Sequence, residues 1–363
     1  MSTNDRIQEL EQEISKTKYN KKTQHHIGLV KAKIAKLRED VERKASSGKK
    51  GEGYSVKKSG DATVVLLGFP SVGKSTILNK LTNAFSKVAA YEFTTLDVVP
   101  GLLEYNHAKI QILDVPGIVS GAASGRGRGR EVLSVLRNAD LALIIVDASK
   151  PEQYGAILQE VHESGLRINK EKPDVRISKK PRGGIGVGAT VALDIDKKTI
   201  EGILRELGIN NADVLIRTPI KEDELIDAIM GNKVYIPAVT VLNKIDLASK
   251  EALKQVCDRI KPDILLSAEQ ETDFTRLKEA IFTKLRLIRI FLKEIGKKPD
   301  LDEPMIMRKG TTIETLCLRL HKDFVKKFRF AKIWGPSAKF PGQEFRKLDK
   351  EIIDGDIVEV HLR

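Results

Sequence analysis

The chain reads as an α/β protein: a phosphate-binding-loop (P-loop) domain interrupted by a small α/β module, preceded by a helical hairpin and followed by a small β-grasp unit. Three observations predict this. Residues Gly68 to Ser75, GFPSVGKS, fit G-x-x-x-x-G-K-[ST] between an apolar run, Thr63 to Leu67, and a helical pattern, Thr76 to Leu81. From Asp61 onward, strand-like and helix-like segments alternate. That alternation breaks off between about Arg167 and Tyr235, and gives way after Ile281 to shorter elements.

At 363 residues the chain accommodates two or three domains. A hydrophobic fraction of 41% and a charged fraction of 31% describe a soluble globular protein. The apolar run Leu141 to Val146 is too short to span a bilayer, and MSTNDRIQEL has no apolar core of the kind a secretory signal needs. With only Cys257 and Cys317, far apart in sequence, neither a disulfide framework nor a cysteine zinc site is expected, which suits the cytoplasm. The net charge of +13 favours a polyanionic partner, ribosomal or other RNA. Residues 1–60 hold 15 Lys and Arg against 8 Asp and Glu, so much of the excess lies at the front.

Residues 5–44 carry apolar positions at helical spacing, Ile7, Leu10 and Ile14 and then Val30, Ile34, Leu37 and Val41, with a polar turn between. They predict a hairpin with a basic outer face. His25 and His26 read as surface residues, and Ser46 to Gly60 as a flexible linker, closing a region of residues 1–60. The P-loop domain follows in two parts, 61–168 and 236–295. Its candidate strands are Thr63 to Phe69, Leu102 to Tyr105, Lys109 to Val115, Leu141 to Asp147, Ala238 to Asn243 and Ile264 to Ser267. Their near-continuous apolar runs fit a parallel sheet buried on both faces, with ligand contacts at the carboxyl ends of its strands.

Between the two parts, residues 169–235 form the inserted module, with strands Thr190 to Ile195 and Val214 to Arg217 and helices Lys198 to Leu207 and Glu222 to Met230. The run Gly183 to Gly188 lacks a following Lys-Ser, so it reads as a flexible turn near Lys179, Lys180 and Arg182 rather than a second nucleotide site. A helix carrying Leu285, Ile288, Leu292 and Ile295 is expected to end at Gly296. Residues 296–363 then form a compact unit: strand Pro304 to Arg308, helix Thr312 to Leu320, strand Phe328 to Trp334 and strand Asp356 to Leu362. Phe328, Phe330, Trp334 and Phe340 can stack on bases, but core packing is the default for aromatic residues in so small a fold.

The chemistry is concentrated in five segments. In the first, Gly68, Phe69, Pro70, Ser71, Val72 and Gly73 curl so that backbone N–H groups face phosphate oxygens. Lys74 reaches the β- and γ-phosphates, Ser75 offers its hydroxyl to Mg²⁺, and Thr76 continues into the helix. In the second, Phe93-Thr94-Thr95, spacing selects Thr95 to place a hydroxyl on Mg²⁺ and an N–H on the γ-phosphate. The third is Asp114-Val115-Pro116-Gly117, where Asp114 holds Mg²⁺ through water and Gly117 brings an N–H to the γ-phosphate. The fourth, Asn243-Lys244-Ile245-Asp246, supplies a carboxylate at Asp246 that accepts from both N1–H and the N2 amine of guanine. Adenine offers no such pair of donors. The fifth, Ser267-Ala268, presents a backbone N–H to guanine O6. Lys74, Thr95 and Gly117 are the candidates for the catalytic work, and Ser75, Thr95 and Asp114 for the metal.

The five together resemble a GTPase. GFPSVGKST, YEFTTL, DVPGIVSGAASGRGRGREVLSVLRNADL, NKID and SAE resemble the Obg-related GTPases, and closest the family of developmentally regulated GTP-binding proteins (DRG). The resemblance covers the whole chain. It implies a P-loop GTPase domain with an inserted ribosomal-protein-like α/β module, a basic N-terminal helical hairpin and a C-terminal β-grasp (TGS) domain. It also implies cytoplasmic GTP hydrolysis linked to ribosomes and translation, by a monomer that works with a stabilising regulatory protein. Ile118 stands where better-known GTPases carry a water-orienting glutamine, so slow intrinsic turnover, accelerated by a partner or a monovalent cation, is expected. Potassium-activated relatives use an asparagine at the P-loop position that Ser71 occupies here, which leaves K⁺ open. Arg126, Arg128 and Arg130 are candidates for stabilising transition-state charge, for touching RNA, or for keeping the loop soluble. Two rivals remain: an ATPase of Obg-like build, against which NKID argues, and an RNA-binding adaptor in which bound nucleotide only stabilises the fold.

Overall fold

The computed structural model describes residues 3–46, 60–82, 99–114 and 138–363. Along the chain come α1 (Thr3–Lys16), α2 (Gln24–Ser46), β1 (Ala62–Leu67), α3 (Lys74–Leu81), β2 (Val99–Tyr105), β3 (Ala108–Asp114), β4 (Leu141–Asp147), α4 (Gln153–Glu163) and β5 (Leu166–Ile168). Then follow β6 (Val175–Lys179), β7 (Ile185–Ala189), α5 (Lys197–Glu206), β8 (Ala212–Ile216), α6 (Glu222–Met230) and β9 (Val234–Ile236). The remainder holds β10 (Ala238–Asn243), α7 (Lys250–Ile260), β11 (Ile264–Leu265), α8 (Thr275–Lys284), β12 (Leu287–Leu292), β13 (Met305–Arg308), α9 (Ile313–Leu320), α10 (Lys322–Lys327), β14 (Phe328–Trp334), β15 (Gln343–Phe345) and β16 (Ile357–Leu362). These elements fall into two compact units, one from the described residues of Met1–Gly53 and Lys170–Tyr235, the other from those of Tyr54–Asn169 and Ile236–Arg363.

The larger unit is built on a six-stranded sheet in the order β11-β10-β4-β1-β3-β2. Strands β1, β4 and β10 are buried along their whole length, as their unbroken apolar runs require. The sheet is parallel except at one edge, where β2 runs antiparallel to β3. The reason is local. Asn106 and His107, with φ of 49° and 66°, close a two-residue hairpin between Tyr105 and Ala108 where a parallel pair would need a long crossover. The parallel topology brings the ends of β1, β3, β4 and β10 to the same edge, and the chain's polar motifs start there.

The C-terminal part of this unit is a mixed five-stranded sheet, β13-β12-β16-β14-β15, with α9 packed against it through Ile313, Leu316 and Cys317. The expected helix carrying Leu285, Ile288, Leu292 and Ile295 is corrected here. Arg286, at φ 52°, ends α8, and the chain continues as β12. Ile288 and Ile290 alternate into the C-terminal core, while Leu287 and Ile306 join the core of the six-stranded sheet. The four-residue step from Ile288 to Leu292 fits strand alternation as well as a helix, and Ile295 is 63% exposed. The first strand of the C-terminal sheet thus precedes the boundary expected at 296. Among the aromatic residues, Phe328 packs on the core, Phe330 stacks on His361 at 4.2 Å, Trp334 lies under Lys293, and Phe340 is 60% exposed.

The smaller unit has a three-stranded sheet, β6-β8-β7, covered by α5 and α6, whose Ile200, Ile203, Leu204 and Leu225 share a core with Val214 and Ile216 of β8. Its strands differ from expectation. Residues 190–195 are not a strand, and the Gly183 to Gly188 run, expected as a turn, contributes β7, which pairs parallel to β8. Glycine lowers strand propensity, yet the alternating Ile185 and Val187 still pack on the core. The N-terminal hairpin belongs to this unit. Leu10, Val30 and Ile34 join α1 to α2, and Ala32 enters the core of the module. Two glycines permit that docking: a Cβ on Gly28 would lie 3.0 Å from Thr199, and one on Gly202 would lie 3.0 Å from His25 and Leu29. His25, read from sequence as a surface residue, is half-buried there, with Nδ1 3.3 Å from Thr199 Oγ1, whereas His26 is exposed and meets Glu13 at 2.9 Å.

Candidate functional site

The turn between β1 and α3 is tied into the sheet edge by contacts only glycine permits. A Cβ on Gly68 would stand 2.6 Å from the Ile145 carbonyl oxygen, and one on Gly73, at φ 96°, would collide with the Asn243 carboxamide. Ser71 also takes a left-handed conformation, at φ 64°. Lys74 opens α3 and folds back over the loop, its Nζ donating to the carbonyl oxygens of Gly68 and Phe69 at 2.9 Å each. Burial pushes the Lys74 pKa down, opposed by the charge of Asp114. Val72 is buried, Phe69 packs against the core, and Pro70 and Thr76 complete the loop and the first helical turn.

Beside the loop, Asp114 ends β3 at 8% exposure. Burial raises its pKa, against the pull of Lys74 and of the Ser75 hydroxyl, whose Oγ lies 3.4 Å from Asp114 Oδ2. Asp114 Oδ1 is buried and has no hydrogen-bond partner among the described residues. An orphaned carboxylate oxygen next to a helix-starting hydroxyl is the donor set a hard divalent cation takes. Thr95 and Gly117, and with them Ile118, Arg126, Arg128 and Arg130, lie outside the described residues.

The carboxyl end of β10 organises the other half. Asn243, 1% exposed, donates from Nδ2 to the Val72 carbonyl at 2.8 Å and accepts at Oδ1 from the Ala268 N–H at 2.9 Å. It therefore spans the phosphate-binding turn and the loop after β11. Lys244 takes φ 60°, and its Nζ meets Asp147 Oδ2 at 2.8 Å. The register of the sheet sets up that contact, because Asp147 closes β4 directly beside Asn243, the residue before Lys244. Burial raises the Asp147 pKa, but hydrogen bonds from Lys244 and from the Ser149 side chain and backbone outweigh it and hold the carboxyl below its usual range. Asp246 lies in a single 3-10 turn, Ile245–Leu247, with Oδ1 accepting from Ser267 Oγ at 2.5 Å and Oδ2 3.4 Å from Gln270 Nε2.

The described sequence-selected residues Gly68 to Thr76, Asp114, Asn243, Lys244, Asp246, Ser267 and Ala268 thus gather at one edge of one sheet. Sequence reading missed Asp147, Ser149 and Gln270. A polar residue closing the apolar run Leu141 to Val146 was a visible signal for Asp147; nothing comparable marks Gln270.

A phosphate-binding turn, a carboxylate beside its hydroxyl, and an Asn-Lys-x-Asp segment bridging to a Ser-Ala loop define a P-loop GTPase, which binds GTP and hydrolyses it. Comparison with known proteins agrees. Residues 63–180 match the model of a 50S ribosome-binding GTPase, residues 182–287 the C-terminal region of that domain, and residues 288–362 a TGS domain. An uncharacterised GTP-binding protein of Methanocaldococcus jannaschii is 52% identical across 100% of this chain and 94% of its own. Developmentally-regulated G-protein 3 of Arabidopsis thaliana is 44% identical over 98% of this chain and 97% of its own, and developmentally-regulated GTP-binding protein 2 of Homo sapiens 44% over 93% and 94%. The chain belongs to the family of developmentally regulated GTP-binding proteins.

Proposed function

We propose that this GTPase is a Mg²⁺-dependent conformational switch acting on ribosomes or RNA during translation, in the cytoplasm and as a monomer assisted by a regulatory protein. The observation that carries the GTP-site reading is the bridge of Asn243 between the Val72 carbonyl and the Ala268 N–H, which joins phosphate side and base side in one frame. Gly68 to Ser75 cradle the phosphates, and Lys74 leaves the Gly68 and Phe69 carbonyls for the β- and γ-phosphates. Asp246 reads guanine, with Ser267 fixing its carboxylate and Ala268 offering its N–H to O6. Ser75, Asp114 and Thr95 would hold Mg²⁺, and the buried Asp114 Oδ1, which has no hydrogen-bond partner among the described residues, supports that assignment. Bound there, the ion would neutralise charge developing on the phosphates.

Thr95 and Gly117 sense the γ-phosphate, and their release after hydrolysis changes how the attached modules meet their partner. A net charge of +13 and the match to a ribosome-binding GTPase model support a ribosomal or RNA partner. The test is GTP turnover by the purified protein in sodium and in potassium buffers, each with and without ribosomes, with ATP as control. Ribosome-stimulated, GTP-selective turnover is expected. Binding of GTP with no stimulation under any of these conditions would favour the adaptor reading.

A further inference from the structure

Lys80 sits in the last turn of α3, away from the phosphate-binding turn, and its ammonium group is spent on the loop after β11. Nζ donates to the Glu271 carbonyl at 2.8 Å and to the Glu269 carbonyl at 3.2 Å, and it lies 5.7 Å from the centroid of the buried Phe274 ring. The loop it grips is a tight turn, in which the N–H groups of Gln270 and Glu271 both donate to the Ser267 carbonyl, at 3.1 and 2.9 Å. Ser267 and Ala268, at the start of that turn, are the residues held by Asp246 and Asn243. The near end of the turn is thus pinned by the Asn-Lys-x-Asp segment and the far end by Lys80.

We infer that Lys80 is a positioning residue for guanine recognition: it fixes the Ser267 to Glu271 turn against the helix that begins at the phosphate-binding loop. The stiffness of α3 links the two ends. Lys74 and Lys80 lie six residues apart on one α-helix, a rise of about 9 Å that cannot stretch. A helix seated by phosphates at its first turn therefore carries, at its last, the loop whose N–H faces the base. Without the clamp, the turn keeps its Ser267 contacts but gains freedom at Glu269 to Glu271, and the base has to order it on binding. The assignment rests on the guanine-site reading above. It goes beyond it by giving a share of base binding to a residue outside the five motifs.

The test compares GDP with inorganic tripolyphosphate, which occupies the phosphate loop and has no base. Isothermal titration of the full chain in Mg²⁺ buffer measures both for the wild type, Lys80→Met and Lys80→Arg. Methionine keeps an unbranched stem over Phe274 and removes the donors; arginine restores donors. Lys80→Met should weaken GDP about tenfold, the scale of a lost charge-assisted hydrogen bond, and leave tripolyphosphate unchanged. Lys80→Arg should recover most of the GDP affinity, and the nucleotide-free melting temperature should be the same in all three. An equal loss for GDP and tripolyphosphate, an unchanged GDP affinity in Lys80→Met, or a lowered melting temperature that accounts for the loss would each overturn the inference. A wild type that binds tripolyphosphate but not GDP would overturn the guanine-site reading itself, and the inference with it.

Discussion

Asn243 and Gly73 are fitted to each other: the carboxamide nitrogen of Asn243 occupies the space where any side chain at Gly73 would begin. From that position it reaches the Val72 carbonyl at 2.8 Å. The backbone turn proposed to grip phosphate is thus held by a side chain from the segment proposed to meet the base. The fit makes both residues testable.

Asn243→Ala removes two hydrogen bonds at a site 1% exposed and leaves the Val72 carbonyl and the Ala268 N–H buried without their partner. The expected cost is about 2–4 kcal/mol of stability, read from the shift of a urea unfolding midpoint. GDP affinity should fall with it, because both halves of the site relax.

Gly73→Ala places a methyl group against the same carboxamide and forces alanine to φ 96°. Nucleotide affinity should drop by roughly tenfold or more in a titration, since the strain of about 1–2 kcal/mol is joined by displacement of the loop. Unchanged affinity would mean that the turn is not held by Asn243 in solution.

Asp147 contributes through its charge. Burial pushes its pKa up, yet hydrogen bonds from Lys244 and Ser149 prevail and hold the carboxyl below the usual range. A carboxyl whose folded pKa is depressed stabilises the fold above the unfolded value, about pH 4, and that stability is lost as pH falls through the lower, folded value. The wild type should therefore exceed Asp147→Asn in stability by a constant margin above about pH 5, and the margin should shrink below about pH 4. Acid-range denaturation curves of the two proteins measure it.

Gly28 lets α2 approach α5 closely enough that a Cβ would lie 3.0 Å from Thr199 and 3.3 Å from Ile203. Gly28→Val should overpack this contact and destabilise the smaller unit by about 1–3 kcal/mol. Amide exchange should accelerate in α2 and α5 while β1, β4 and β10 keep their protection.

The motifs were legible because their chemistry is local: a lysine after two glycines, a carboxylate closing a strand, and Asn-Lys-x-Asp all carry their spacing on their face. What sequence hid was pairing at a distance. Nothing in Asn243 announces Val72 as its partner, nor in Lys80 the carbonyls of Glu269 and Glu271. The same holds for the fold. The buried strands β1, β4 and β10 could be read from unbroken apolar runs, whereas β12 could not, because Ile288 and Leu292 satisfy helical and strand periods alike and the decision falls to Arg286 at φ 52°. Docking of the N-terminal hairpin on the inserted module was invisible because it depends on two glycines, Gly28 and Gly202, that are remote from each other in sequence.

The central claim is that the carboxylate of Asp246, braced by Ser267, selects guanine. Asp246→Asn exchanges an acceptor for a donor at one end of that carboxylate and so suits a base with a carbonyl where guanine has its amine. Turnover of GTP and of xanthosine triphosphate by the wild type and by Asp246→Asn measures this directly. The account predicts that the variant loses GTP turnover and gains turnover of xanthosine triphosphate; a variant that still prefers GTP would contradict it.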